Sequence, residues 1–158
     1  MNINEQVEYL MQGTEYGDEI LKQKMAGELR DRLQICQNES RSLRVYCGFD
    51  PTKADLHLGH TVPMRKLRQF QELGHDVTFL IGNYTSLIGD PSDKDVLRPQ
   101  LSTDTVEDNA RTYAEQAFRI MEEGKTHIRY NAEWLAGLSF SEVIRLASNF
   151  TLQQFLTR

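Results

Sequence analysis

The sequence predicts an α/β fold: a parallel sheet with flanking helices. Three observations carry that expectation. Two short β-branched and aromatic runs, "LRVYCGF" (43–49) and "DVTFLIGN" (76–83), enclose an amphipathic pattern, "HTVPMRKLRQFQELG" (60–74). Strand, helix, strand at this spacing is a βαβ unit, in which the two strands are parallel and the crossover is right-handed. The chain has 158 residues, 39% apolar and 26% charged, enough to bury one core and too apolar for a disordered chain.

The elements follow in order. Residues 4–12 form a short helix and 18–37 a longer one, in which Ile20, Leu21, Met25, Leu29, Leu33 and Cys36 recur at helical spacing. The run 43–49 is a strand closed by a glycine and an aspartate-proline turn. The helix over 60–74 carries Pro63 in its first turn and stops at Gly74. The continuous apolar run at 76–83 is a buried strand. A long loop, 83–100, is rich in turn-forming residues, and loops of such length inside a compact domain are functional or mobile. A Ser/Thr/Asp start, an acidic opening turn and Gly124 define a helix over 102–124. A third strand covers Ile128 to Tyr130, and helices at 139–148 and 151–158 close the chain. "TLQQFLTR" is amphipathic and has no helix stop, so the expectation is the N-terminal part of something longer. The organisation expected is a helical segment 1–42, a βαβ core 43–134 and the start of a further helical region 135–158.

Several function classes are disfavoured. No apolar stretch approaches the roughly 18 residues that span a bilayer. The polar, acidic start lacks the features of a signal peptide, which leaves the cytoplasm as the expected location. Cys36 and Cys47 form no C-x-x-C pair and are expected to be reduced, buried thiols. A net charge of −5 does not favour nucleic-acid binding by the whole surface.

The chemistry centres on "HLGH" (57–60), where the first strand gives way to the helix. A helix start offers free backbone N–H groups and the positive end of its dipole, an anion site before any side chain acts. Gly59 would let a ligand lie against the backbone, and His57 and His60 can both donate to a phosphate oxygen. The carboxyl edge of a parallel strand is also where open α/β sheets bind ligands. Taken alone, the four letters also fit two structural or surface histidines, or two ligands of a zinc site without an obvious third.

The surrounding residues narrow the choice. "YCGFDPTKADLHLGH" (46–60) and "LIGDPS" (87–92) resemble the two signatures of the tyrosyl-tRNA synthetase family within the class I aminoacyl-tRNA synthetases. The resemblance runs from about residue 43 to residue 158. It implies a Rossmann-like (HUP-type) parallel sheet, incomplete here at its C-terminal end, with the N-terminal helices packed on it. It also implies that the core 43–134 binds a nucleotide and that 135–158 begins a dimer-interface or connective region. The activity implied is ATP-dependent activation of L-tyrosine to tyrosyl-adenylate and transfer to tRNA(Tyr). His57, His60 and Thr52 would then surround the ATP phosphates as the catalytic group. Gly48, Asp50 and Gly59 would lie against the nucleotide, with Cys47 near the ribose. Tyr46 would reach the substrate phenol and Asp90 its ammonium or hydroxyl end, with Thr85 and Asn83 in the same pocket wall. ATP enters as a substrate with its Mg²⁺, with no metal held by the protein. Family members are homodimers, with contacts near 143–155.

Alternatives stand beside these readings. Asp90 also fits a turn-forming residue before proline, and Tyr46 a core aromatic. Arg65, Lys66 and Arg68 read as the solvated face of the HLGH helix. Asp93 stands where many relatives have glycine, and Lys94 has no assigned role. The lysine-serine loop, the segments completing the tyrosine pocket and the tRNA-reading domain are absent from these 158 residues, so the chain alone is expected to be inactive. A different H-x-G-H nucleotidyltransferase and a non-catalytic synthetase-like module are the other functional readings.

Overall fold

The structure, a computed structural model, describes residues 1–88 and 101–156. Strands β1 (Arg44–Phe49), β2 (Asp76–Ile81) and β3 (Thr126–Tyr130) form one parallel sheet in the order β1-β2-β3. Helix α3 (Leu58–Glu72) connects β1 to β2. The connection from β2 to β3 runs through a helical turn, α4 (Thr85–Ile88), and helix α5 (Thr103–Ala117).

Alternation along the strands divides the sheet into two unlike faces. Val45, Cys47, Phe49, Val77, Phe79, Ile81, Ile128 and Tyr130 pack with Met64 and Leu67 of α3 and with Ala110, Tyr113 and Ala117 of α5. Val77, Phe79 and Ile81 are completely buried. On the other face Tyr46, Gly48, His127 and Arg129 are exposed, with Tyr46 72% accessible. A parallel sheet is ordinarily covered on both faces, so this one is half dressed.

Helices α1 (Ile3–Met11) and α2 (Glu19–Asn38) make a small second core around Val7, Leu10 and Leu33. It joins the sheet layer through Phe70 of α3, which packs against both cores, and through Leu43. Asn2 and Glu5 close a reciprocal cap on α1, and Asp18 caps α2. Lys66 fastens α1 to α3: its Nζ donates to the carbonyls of Leu10 at 2.6 Å and Gln12 at 2.9 Å. Burial lowers its pKa. Lys66 is therefore a C-terminal cap for α1, not part of a solvated face. Arg68 is also engaged, with Glu72 at 3.0 Å and Glu122 at 2.8 Å.

Other boundaries differ from expectation for identifiable reasons. Helix α3 begins two residues earlier than its pattern suggested, because His57 caps it. Pro63 is thereby the sixth helical residue, and its missing N–H leaves the Gly59 carbonyl without the usual helical donor. Helix α5 ends at Ala117, well short of Gly124. The N–H of Glu122 turns instead to Oε1 of Gln71 at 3.1 Å. That amide also donates to the Lys125 carbonyl at 2.9 Å and Thr126 Oγ1 at 2.7 Å. The buried Gln71 thus holds the segment that leads into β3, by way of a 3-10 turn at Glu123–Lys125. A helical turn, α6 (Ala132–Leu135), follows β3 and was not expected.

Helices α7 (Phe140–Ala147) and α8 (Leu152–Leu156) contribute no buried residue. Phe140 is 79% exposed, and Val143, Ile144, Leu146, Phe150 and Phe155 are also exposed. Among the described residues, no helix is long and apolar enough to cross a membrane.

Candidate nucleotide-binding site at the carboxyl edge of the sheet

Three strands end side by side, and polar side chains carry the hydrogen-bond ladder on past them. The N–H of Gly82 donates to the Phe49 carbonyl at 2.9 Å, and that of Asn131 to the Ile81 carbonyl at 3.0 Å. Beyond this point the loops exchange side-chain bonds. Asn131 Oδ1 accepts from the N–H of Tyr84 at 2.8 Å, and Asn83 Oδ1 from the N–H of Ala132 at 3.1 Å. Thr85 Oγ1 donates to Asp50 Oδ1 at 2.8 Å and accepts from Asn131 Nδ2 at 2.9 Å. The loops after β1, β2 and β3 are thus one connected network.

Gly82 makes that network possible. A Cβ built there would lie 1.8 Å from Asp50 Oδ1 and 2.7 Å from Thr85 Oγ1, so the Asp50 carboxylate rests directly on the Gly82 backbone. Neither Gly82, read only as the glycine that ends a strand, nor Asn131 was expected at the site. The available signal was position alone: a glycine and an asparagine, each just past a strand's carboxyl end.

At the start of α3 the two histidines interlock. His57 Nδ1 accepts from the N–H of Gly59 at 3.1 Å, and His60 Nδ1 accepts from the N–H of His57 at 3.1 Å. This is a capping box written in imidazoles, with the rings stacked at a centroid distance of 3.8 Å. Both Nδ1 atoms act as acceptors, so in each neutral ring the proton sits on Nε2. The helix start therefore offers a pair of imidazole N–H donors, while the backbone N–H groups of His57 and Gly59 are already taken. The space above Gly59, which the sequence reading assigned to a ligand, holds the His57 ring: a Cβ there would lie 3.0 Å from His57 Cε1. Burial, reinforced by the neighbouring His57, lowers the His60 pKa. The His60 ring is thus held as a neutral donor.

The remaining expected residues distribute as follows. Thr52 is exposed in the loop after β1, and its N–H donates to the Asp50 carbonyl at 2.8 Å. Tyr46 and Gly48 occupy the open face of the sheet, whereas Cys47 packs into the helix-covered core. Burial raises the Cys47 pKa and keeps its thiol protonated. Asp90, Asp93 and Lys94 lie outside the described residues. Thr85 and Asn83 sit at the loop junction, with their side chains engaged in the network above.

Comparison with known proteins identifies the family and the fold. Residues 37–158 match the family model described as tRNA synthetases class I (W and Y). The chain is 50% identical over 131 residues to a tyrosine--tRNA ligase of Carboxydothermus hydrogenoformans, covering 83% of this chain and 32% of that protein. It is 48% identical over 157 residues to the tyrosine--tRNA ligase of Haemophilus influenzae, covering 99% of this chain and 37% of that one. The chain thus spans about a third of the length of these curated relatives. Among solved structures, a C-terminally truncated mitochondrial tyrosyl-tRNA synthetase of Aspergillus nidulans superimposes with a TM-score of 0.70 at 24% identity, over 99% of this chain and 45% of that one, a likeness of fold. With the strand-edge network, the imidazole pair and this match in hand, the chain belongs to the class I tRNA synthetases of the tryptophan and tyrosine group.

Proposed function

We propose that this chain is part of a tyrosine--tRNA ligase, which joins L-tyrosine to ATP as tyrosyl-adenylate and passes the tyrosyl group to tRNA(Tyr). The observation that carries the reading is the imidazole pair: two Nε2–H donors at the start of α3, beside the carboxyl end of β1. The names of the relatives at about half identity favour tyrosine over tryptophan.

In this proposal the tyrosine carboxylate, already ionised, attacks the α-phosphorus of ATP. A carboxylate O–P bond forms, the bond from the α-phosphorus to the bridging oxygen breaks, and pyrophosphate leaves. No general base is needed. The barrier lies in bringing two anions together and in the negative charge that grows on the phosphates, so rate comes from positioning and electrostatics. His57 and His60 donate to phosphate oxygens, with Thr52 beside them. Gly48 and Asp50 border the nucleotide together with Gly59, which meets it across the His57 ring rather than as bare backbone, and Cys47, half-buried on the helix-covered side of β1, lies near the ribose. Tyr46, Asp90, Thr85 and Asn83 border the tyrosine. Mg²⁺ arrives as part of the ATP substrate and neutralises charge on the departing pyrophosphate. A site built to hydrogen-bond the phenol hydroxyl rejects phenylalanine without editing. The division into 1–42, 43–134 and 135–158, a cytoplasmic location and a homodimer belong to the same proposal.

The test is tyrosine-dependent exchange of labelled pyrophosphate into ATP by the full-length gene product. Exchange with tyrosine supports the reading, and exchange driven only by another acid or by a nucleotide overturns it. The 158-residue chain alone is expected to give no useful exchange.

A further inference from the structure

Helix α5 reaches back across the sequence and grips the loop that delivers the two histidines. Asn109 Nδ2 donates to the Pro51 carbonyl at 3.0 Å. Thr112 Oγ1 donates to the Ala54 carbonyl, and Gln116 Nε2 donates to the same oxygen at 3.0 Å. Gln116 Oε1 accepts the N–H of Leu56 at 2.9 Å. The backbone of Lys53 meets the hydroxyl of the buried Tyr113. The grip therefore covers the loop from Pro51 to the residue just before His57.

Packing alone does not call for this polar stripe. Ala110, Tyr113 and Ala117 already dock α5 onto the core. Asn109, Thr112 and Gln116 form a separate row at i, i+3 and i+7. Gln116 is the informative member, since one planar amide binds a carbonyl and an N–H two residues apart. That fixes the direction of the backbone as well as its place. The Leu56 side chain packs against the core from its own side, so residue 56 is held by both backbone and side chain. The next residue is His57, whose ring carries His60 with it through the stack and the reciprocal cap.

We infer that Gln116 is a positioning residue for the imidazole pair: its amide aims the Nε2–H groups of His57 and His60 from α5. The inference rests on the reading of those rings as phosphate donors. Gln71 provides an internal control, because it is a more deeply buried amide network at the opposite end of α3 from the histidines.

Gln116→Met keeps the volume and removes both bonds, Gln116→Glu keeps only the acceptor, and Gln71→Met is the control. In pyrophosphate exchange by the full-length gene product, Gln116→Met is expected to raise KM for ATP and to lower kcat/KM for ATP by about 100-fold, the order of loss that a 1 Å misplacement produces. KM for tyrosine should hold, and Gln116→Glu should fall in between. Gln71→Met should lose thermal stability yet keep its kinetic constants below its melting point. Equal kinetic effects from Gln116→Met and Gln71→Met, or parallel shifts for ATP and tyrosine, would overturn the proposal. A second measurement does not need the enzymatic reading. ¹⁵N-histidine spectra of the 158-residue chain should show the Nε2–H tautomer at both rings, and Gln116→Met should mix the tautomers at His57. Unchanged spectra would refute the grip even where wild-type exchange is absent, a result that would itself count only against the ligase reading.

Discussion

The imidazole of His57 lies flat on that of His60, 3.8 Å centroid to centroid, and each ring caps a backbone N–H of the same helix turn. Capping therefore uses Nδ1 of each ring, and the proposed phosphate donation would use the other nitrogen, Nε2. This division of labour can be separated by substitution.

Asparagine at position 57 retains a capping oxygen but loses the outward Nε2–H. His57→Asn should therefore keep its urea midpoint close to wild type while pyrophosphate exchange falls steeply. His57→Ala should lose the exchange and, in addition, about 1 kcal/mol of stability from the lost cap. Equal stability of the two variants in urea would show that the ring does not cap α3.

The pH dependence of stability follows from His60 and His75. Burial lowers both pKa values from the ordinary 6.5, with His57 adding to the effect at His60. Below 6.5 the unfolded chain takes up protons that the folded rings still refuse, so folding is favoured less as pH falls. Stability is full above this value and declines through the lowered folded pKa values. Glu72, Glu122 and Glu133, held below 4.5 chiefly by Tyr9, Lys125 and Arg129 respectively, give a second decline at more acid pH. Urea midpoints measured from about pH 8 to about pH 5, where unperturbed imidazoles titrate, should fall, and His75→Gln should flatten the slope. A level profile in the wild type would contradict the assignment.

Gly82→Ala should evict the Asp50 carboxylate, because the new methyl would stand 1.8 Å from its Oδ1. Overpacking of this kind costs about 1–3 kcal/mol. The double variant Gly82→Ala, Asp50→Ala should recover part of that loss, since the clashing group is gone. Additive losses in a double-mutant cycle would mean that the two residues do not meet.

The apolar residues of α7 and α8 predict self-association of the 158-residue chain. Phe140, Val143 and Ile144 are exposed together on α7, and contiguous apolar surface of this kind marks contact sites. Sedimentation velocity should show mass rising with concentration, and Ile144→Glu should shift the population toward monomer. A wild-type chain that stays monomeric would remove this support for a homodimer.

The sheet was legible in the sequence because its signals are local. The β-branched and aromatic run at 43–49 and the continuous apolar run at 76–83, each with a glycine near its end, mark strands without any knowledge of partners. His57, His60 and the helix between the strands were legible for the same reason. Gln71, Gln116 and Asn131 were not, since an amide that bonds 46 to 62 residues away leaves no periodic trace. The end of α5 was misplaced because the pattern continues to Gly124, whereas the helix closes at Ala117 and the N–H of Glu122 finds a tertiary acceptor on α3. The imidazole capping was hidden too, because histidine is not among the residues by which helix starts are recognised.

Along β1, neighbouring letters look in opposite directions: Tyr46 and Gly48 outward, Cys47 and Phe49 toward the helices. Removing or inserting a single residue in 44–49 would exchange the two sets, leaving the Phe49 ring in water and a phenol wedged among aliphatic groups. This ribbon can therefore drift in spelling but not in length, and descendants of the chain should vary here by replacement while rejecting every indel.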